Sequence, residues 1–359
     1  MKLCKVSEIV GGEKLARPIM TSNYQELLAA GTILKPEYVP KIIQLGIDEV
    51  FIEDSKLSPE QVVILREDVE DFFTEKVRSV LERHIYSDNS DLEELSKTAD
   101  SIITNILARD EVVELIYDIR ERSADIYEHC ISVCSVAVLV AIKKKMDKKL
   151  IHDLGVACLF HDIGLRYLDF DYTNKDIGAL DEKSLAEYRK HPVYAYSSLE
   201  KETWISENAK KMILSHHERM DGSGYPRHSK ETDELTQILQ VADAFDEMIC
   251  GIGCMRSRVY EAVEYLKITK GVLFNEDIVN TLLDFTAVYP SGTVVILSTG
   301  EMGIIIRQNQ QFPERPVVRI IKDIKGNNIV DERICDLLKV HNVYIERFFC
   351  KKTYGNPFI

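Results

Sequence analysis

The segment HHERMDGSGYP, residues 216–226, sets two adjacent imidazoles and two acids directly ahead of a Gly-Ser-Gly-Tyr-Pro turn. Five of the nine histidines, with several aspartates, recur through the middle of the chain at intervals of 25 to 32 residues: His129, His161-Asp162, His191, His216-His217 and then Asp243. Neutral imidazole and carboxylate are the donors favoured by borderline and hard transition metals. The scarcity of cysteine beside most of them argues against a structural zinc cage. The donor set therefore points to iron or manganese. Any one of these histidines, taken singly, reads equally as a hydrogen-bonded core residue. Taken together, imidazoles and carboxylates converging from several helices would be costly to bury without a cation.

Helices must do the positioning. From about Ser123 to Phe285 nearly every segment carries helical periodicity, including ADIYEHCISVCSVAVLVAIKKK, IHDLGVACLFHDIG, EKSLAEYRKHPVYAYSSLEK, ENAKKMILSHHE, ETDELTQILQVADAFDEMI and NEDIVNTLLDFT. The donors fall near the ends or on the inward faces of these helices. The expected fold is mainly α, a helical bundle as the core with small β-containing modules at the N- and C-termini. Residues 1–57 read as a small α/β module, with strands at ARPIM, GTIL and DEVFIED and a helix over PEYVPKIIQLG ending at Gly46. Residues 58–120 read as a helical connector whose first helix opens at Ser58, with Glu60 and Gln61 in its first turn. The bundle is expected over 121–286. A β-rich module over 287–359 follows from TVVILSTGEMGIIIRQ and PVVRIIKD.

Composition narrows the partners. A formal net charge of −14 on 359 residues disfavours a nucleic-acid polymer, while a small anion remains compatible if metal supplies positive charge. The start MKLCKVSEIVGGEK lacks a secretory apolar region, and the longest apolar run, ISVCSVAVLVAI at 131–142, is short for a bilayer span, so a cytoplasmic protein without a membrane partner is expected. The cysteine pairs Cys130/Cys134 and Cys250/Cys254 have helical spacing and read as reduced core residues.

The ordered pattern of a lone His, an His-Asp pair, His191-Pro192, the unbroken HHERMDGSGYP run and Asp243 within VADAFD resembles the HD-GYP family, a branch of the HD metal-dependent phosphohydrolases, over residues from about 120 to 285. The resemblance implies a metal-ligand set of His129, His161, Asp162, His191, His216, His217 and Asp243, with Asp162 bridging two divalent ions. Asp125, four residues before His129, is expected to serve a third ion. Iron is expected first and manganese next. Asp246, one turn after Asp243, is expected beside the ligands, and catalysis is assigned to His161, Asp162 and Asp246. Gly224 and Tyr225 of the turn are expected to contact substrate.

The activity implied is hydrolysis of cyclic di-GMP to pGpG, and onward to GMP in some members, by attack of metal-activated water on phosphorus. Two departures stand out. The family lysine two residues after Ile163 is here Leu165, followed by Arg166. The family's phosphate-gripping stretch after Asp246 is here EMICGIGCMRSR, leaving Arg256 and Arg258 as candidates. These departures keep two other functions open, a slow cyclic-dinucleotide receptor or scaffold and a phosphohydrolase of another nucleotide. A homodimer and a protein partner bound through the GYP loop or the terminal modules are also left open. His84, His152, His228 and His341 lie outside the pattern and read as surface or hydrogen-bonded residues.

Overall fold

The computed structural model describes residues 2–6, 9, 11–15, 18–20, 26–29, 31–45, 47, 49–52, 62–86, 91–108, 115–119, 124–310 and 312–349. Contacts divide the chain into two compact units, Val62–Val288 and the combination of Met1–Gln61 with Tyr289–Ile359.

In the second of these, β1 (Lys2–Lys5) pairs antiparallel with β4 (Glu49–Ile52), and β2 (Ile19–Met20) with β3 (Glu26–Leu28). The helix α1 (Val39–Gln44) lies between β3 and β4 in sequence, with proline in its first turn, where a missing N–H costs nothing. Val6, Leu15, Leu34, Ile42 and Val50 form the core of this part. The expected strand at GTIL is reduced to a single bridge between Ile33 and Lys14, and Gly46 lies outside the described residues. The C-terminal part is a five-stranded antiparallel sheet in the order β8-β7-β6-β5-β9, from β5 (Val294–Leu297), β6 (Met302–Arg307), β7 (Val317–Lys322), β8 (Asn328–Asp336) and β9 (Ile345–Phe349). Val295, Leu297, Ile305, Val318 and Leu337 fill its buried side.

The helical unit opens later than the sequence suggests. Ser58 lies outside the described residues, and α2 (Glu67–Tyr86) starts where Glu67, Asp68 and Glu70 place negative charge on its first turn. Ahead of it, the Val62 amide donates to the Asp118 carboxylate (3.2 Å) and its carbonyl accepts from the Asp118 amide (2.6 Å), which holds this segment out of helix. Then come α3 (Glu94–Leu107), α4 (Ile126–Lys143), α5 (Lys148–Phe160), α6 (Glu182–Tyr188), α7 (His191–Leu199), α8 (Glu207–Ser215), α9 (Glu234–Cys250), α10 (Val259–Thr269) and α11 (Glu276–Leu283).

The helix α4 is the central rod, packed on α5 and α9 and buried from His129 to Ala141. It is the one helix among the described residues that is long and apolar enough to cross a membrane by length and composition, and 72% of it is buried within the protein. The stretch EKSLAEYRKHPVYAYSSLEK forms two helices rather than one, since Pro192 sits in the first turn of α7 and cannot continue α6. The helix α10 was not foreseen among the helical segments.

Candidate metal centre

Helix ends and one helix face bring the donors together. His129 lies in the first turns of α4. His161 caps the C-terminus of α5, and Asp162 follows it at the entrance to a 3-10 turn, Ile163–Tyr167. His191 begins α7, His216 caps α8, and Asp243 and Asp246 lie on α9. His129, His161, His191, His216, Asp243 and Asp246 are fully buried, and Asp162 and His217 nearly so.

A carbonyl at a helix C-terminus lacks an intrahelical partner, and three of the histidines exploit this. Nδ1 of His161 donates to the Cys158 carbonyl (2.8 Å), Nδ1 of His191 to Tyr188 (2.8 Å) and Nδ1 of His216 to Ile213 (2.7 Å). A carbonyl only accepts, so each Nδ1 carries the proton and each Nε2 turns inward. His129 reaches the same state by another route: Nδ1 faces Asp246 Oδ2 at 2.8 Å, and Asp246 Oδ1 is held by the Ser132 hydroxyl.

The inward nitrogens then meet. Nε2 of His129 and of His161 are 3.2 Å apart, and Nε2 of His191 and of His216 are 3.1 Å apart. Two lone pairs at that distance repel unless positive charge lies between them. Asp243 Oδ1 is 3.2 Å from Nε2 of both His129 and His161. Asp162 spans the two pairs: Oδ2 lies 3.5 Å from His129 and 3.6 Å from His161, while Oδ1 lies 3.3 Å from His191 and 3.5 Å from His216. Neither oxygen of Asp162 has a hydrogen-bond partner, and neither do Asp243 Oδ2 and His217 Nε2, although all are buried. Orphaned buried donors of this kind fit divalent cations. Two groups of four follow, His129, His161, Asp162 and Asp243, and Asp162, His191, His216 and His217, sharing one carboxylate.

The electrostatics agree. Burial alone would push the His161 imidazole down, but Asp162 and Asp243 outweigh it and raise its pKa well above the ordinary value. Burial would raise Asp162, but His161, His191 and His216 hold it well below the usual carboxylate range. Burial and the neighbouring carboxylates of Asp243 and Asp162 push Glu247 well up.

Several expected site residues lie elsewhere. Asp125 is the N-cap of α4: Oδ1 accepts from the amides of Tyr127 (2.9 Å) and Glu128 (3.0 Å), and Oδ2 pairs with Arg78 at 2.8 Å. Its capping bonds and ion pair occupy the carboxylate that a third ion would need. Arg256 gives its Nε to the Ile249 carbonyl (3.2 Å) and its amide to Asn174 (2.9 Å), fastening the turn after α9. Arg258 is the N-cap residue of α10, where its amide donates to Glu261 (2.7 Å). Leu165 is buried among Tyr188, Cys250 and Ile252, and Arg166 donates to the Leu81 carbonyl on α2, so neither supplies a cation to the donor groups. His152 is bonded to Asp100 (2.7 Å), His228 and His341 are exposed, and the side chain of His84 lies outside the described residues.

The GYP turn folds back on the donors. The Tyr225 ring stacks on His217, with centroids 4.6 Å apart at 26°, and its amide donates to the His217 carbonyl (3.1 Å). A Cβ on Gly224 would sit 2.3 Å from that carbonyl, so only glycine fits there. Glu218, fully buried, accepts from the amides of Arg227 (2.7 Å) and Ser229 (2.8 Å) and braces the turn. Sequence reasoning missed that brace, and it missed Glu247, whose Oε1 lies 3.8 Å from His217 Nε2. The signal was present, since Glu247 follows Asp243 by one helical turn.

A family model described as HD domain matches residues 90–278, which is more than half of the chain. A second, described as KOW domain associated with HD domain, matches residues 294–356. The chain is similar to the cyclic di-GMP phosphodiesterase PA4108 of Pseudomonas aeruginosa, 23% identical over 67% of this chain and 59% of that protein. It is also similar to 3'3'-cGAMP-specific phosphodiesterase 3 of Vibrio cholerae, 32% identical over 36% of this chain and 26% of that protein. It thus spans less than two thirds of either relative. Among solved structures, Bd1817, a HDG"Y"P protein from Bdellovibrio bacteriovorus, is 17% identical and covers 79% of this chain and 98% of its own, with a TM-score of 0.47. All the inward-facing donors lie inside the first match, which covers more than half of the chain, and the chain belongs to the HD domain family.

Proposed function

We propose that this chain is a metal-dependent phosphodiesterase that opens cyclic di-GMP to linear pGpG. The observation that carries the reading is Asp162, a buried carboxylate with both oxygens unpartnered, each facing a different pair of imidazole nitrogens. His129, His161, Asp162 and Asp243 would hold one divalent ion, and Asp162, His191 and His216, with His217 within reach, the other. The imidazole and carboxylate donors suit iron first and manganese next. When bound, such a pair supplies a nucleophile at neutral pH and neutralises phosphate charge.

The protein's own groups do the rest. Asp246, held by Ser132, fixes the His129 proton on Nδ1 so that Nε2 faces the centre. Tyr225 offers one ring face beside His217 against which a nucleobase can stack, and Gly224 leaves the backbone room to approach. The exposed Arg189 guanidinium, 5.8 Å from the Tyr225 centroid, is a candidate phosphate partner beside the turn.

Buried thiols at Cys130, Cys134, Cys158 and Cys250 support a reducing, cytoplasmic setting. The working domain is the helical unit, and the terminal modules and the GYP loop are left for protein partners or a second copy. The relative specific for 3'3'-cGAMP, together with the apolar Leu165, favours a second reading in which another cyclic dinucleotide is the substrate.

The test is anaerobic loading of the full chain with Fe(II) or Mn(II), incubation with cyclic di-GMP and 3'3'-cGAMP in parallel, and chromatography of the products. Linear product from cyclic di-GMP, abolished by Asp162→Ala, is expected. Intact dinucleotide that stays protein-bound would make the chain a receptor, and turnover surviving Asp162→Ala would rule out this site.

A further inference from the structure

The first four-donor group leaves one oxygen of Asp243 unexplained, and His217, counted in the second, also forms a set with Asp243 and Glu247 whose ligand atoms, one per residue, all lie within 4.8 Å of one another. Asp243 uses Oδ1 toward His129 and His161, while its Oδ2 has no partner and faces His217 Nδ1 at 3.9 Å. His217 Nε2 is likewise buried and unpartnered, with Glu247 Oε1 3.8 Å away. That separation is too long for a hydrogen bond and suits two ligands of a common ion. Glu247 reaches the spot because it follows Asp243 by four residues on α9, so both carboxylates project from one face, whereas Asp246 turns toward His129.

We infer that the chain holds a third divalent cation between His217, Asp243 and Glu247, and that Glu247, not Asp125, is its distinguishing ligand. The inference rests on the reading of the other two positions as a metal pair. One imidazole and two carboxylates carry a charge that a divalent ion cancels, and the donor types favour manganese or ferrous iron over a thiolate-seeking metal. A neutral imidazole offers one lone pair, so His217 serves this position and the second position keeps Asp162, His191 and His216. Asp125 is withdrawn from the competition by its two amide bonds and its pairing with Arg78.

The full chain, stripped of metal and reloaded with Mn(II), is analysed for manganese per chain, and its crystals are examined by anomalous scattering at the manganese edge. Three ions are expected in the native protein, the third between His217, Asp243 and Glu247. Glu247→Gln, which keeps the size of the side chain, should retain two, and Asp125→Asn, which preserves the cap, should retain three. Two ions in the native protein and in Glu247→Gln alike would overturn the inference and leave the pair intact, with water bridging His217 and Glu247. No bound metal would remove the pair as well. A third ion lost in Asp125→Asn and kept in Glu247→Gln would assign it to the wrong acid. Should Glu247→Gln fail to fold, the native anomalous map decides alone.

Discussion

At the scale of single residues the site is a matter of where protons sit. His161, His191 and His216 each give Nδ1–H to a carbonyl at a helix end, and His129 gives its own to Asp246, so four Nε2 atoms face inward. Without metal, protons must stand in for cations. Burial opposes charge on His161, yet Asp162 and Asp243 overcome it and keep the ring protonated above the ordinary imidazole range. A raised pKa means that the proton persists to higher pH and must leave before a cation enters. Mn(II) affinity should therefore go on strengthening as the pH rises above the ordinary imidazole range, by up to about tenfold per pH unit for each proton displaced. Titration calorimetry in buffers of different ionisation enthalpy reads both the affinity and the protons released, and pH-independent binding would refute this arrangement.

At the scale of elements, the short turn after Asp162 decides what Leu165 can do. The segment Ile163–Tyr167 is 3-10 rather than α, and it lies against α7 so closely that a Cβ on Gly164 would come 1.9 Å from the His191 carbonyl. This geometry sends Leu165 into the apolar cluster of Tyr188, Cys250 and Ile252 and sends Arg166 to α2. Leu165→Lys would place an ammonium in the apolar cluster of Tyr188, Cys250 and Ile252. We expect it to cost roughly 3–5 kcal/mol of stability rather than to speed turnover, measured by denaturant unfolding beside product formation. A variant of unchanged stability and faster hydrolysis would contradict the packing.

At the scale of the whole molecule, the donors all belong to the helical unit Val62–Val288, while the cores of the terminal parts are built from aliphatic side chains such as Leu15, Ile42, Val295 and Val318. Metal that binds only the native helical unit stabilises it by mass action, about 2.7 kcal/mol at a hundredfold excess over Kd. Chelation should thus lower amide-exchange protection in α4, α5 and α9 and leave β5 to β9 unchanged. A uniform loss of protection across both units would show that metal is not held where the donors converge.

The donor types, their order and the helices that carry them were legible in the sequence, because apolar periodicity and helix-end residues are local properties of the chain. His161-Asp162, His191-Pro192 and HHERMDGSGYP stood out by donor chemistry and by resemblance to a known family, and the helical core by its periodicity. The family resemblance offered Asp125, four residues before His129, as a ligand, yet its carboxylate caps α4, because the first turn leaves amides that need an acceptor, and it pairs with Arg78 from α2. The role of Glu247, the burial of Leu165 and the turning away of Arg256 likewise depend on which neighbours pack against them. Those neighbours lie tens of residues away in the chain, so only the tertiary structure, where distant carboxylates and imidazoles compete for the same space, could decide them.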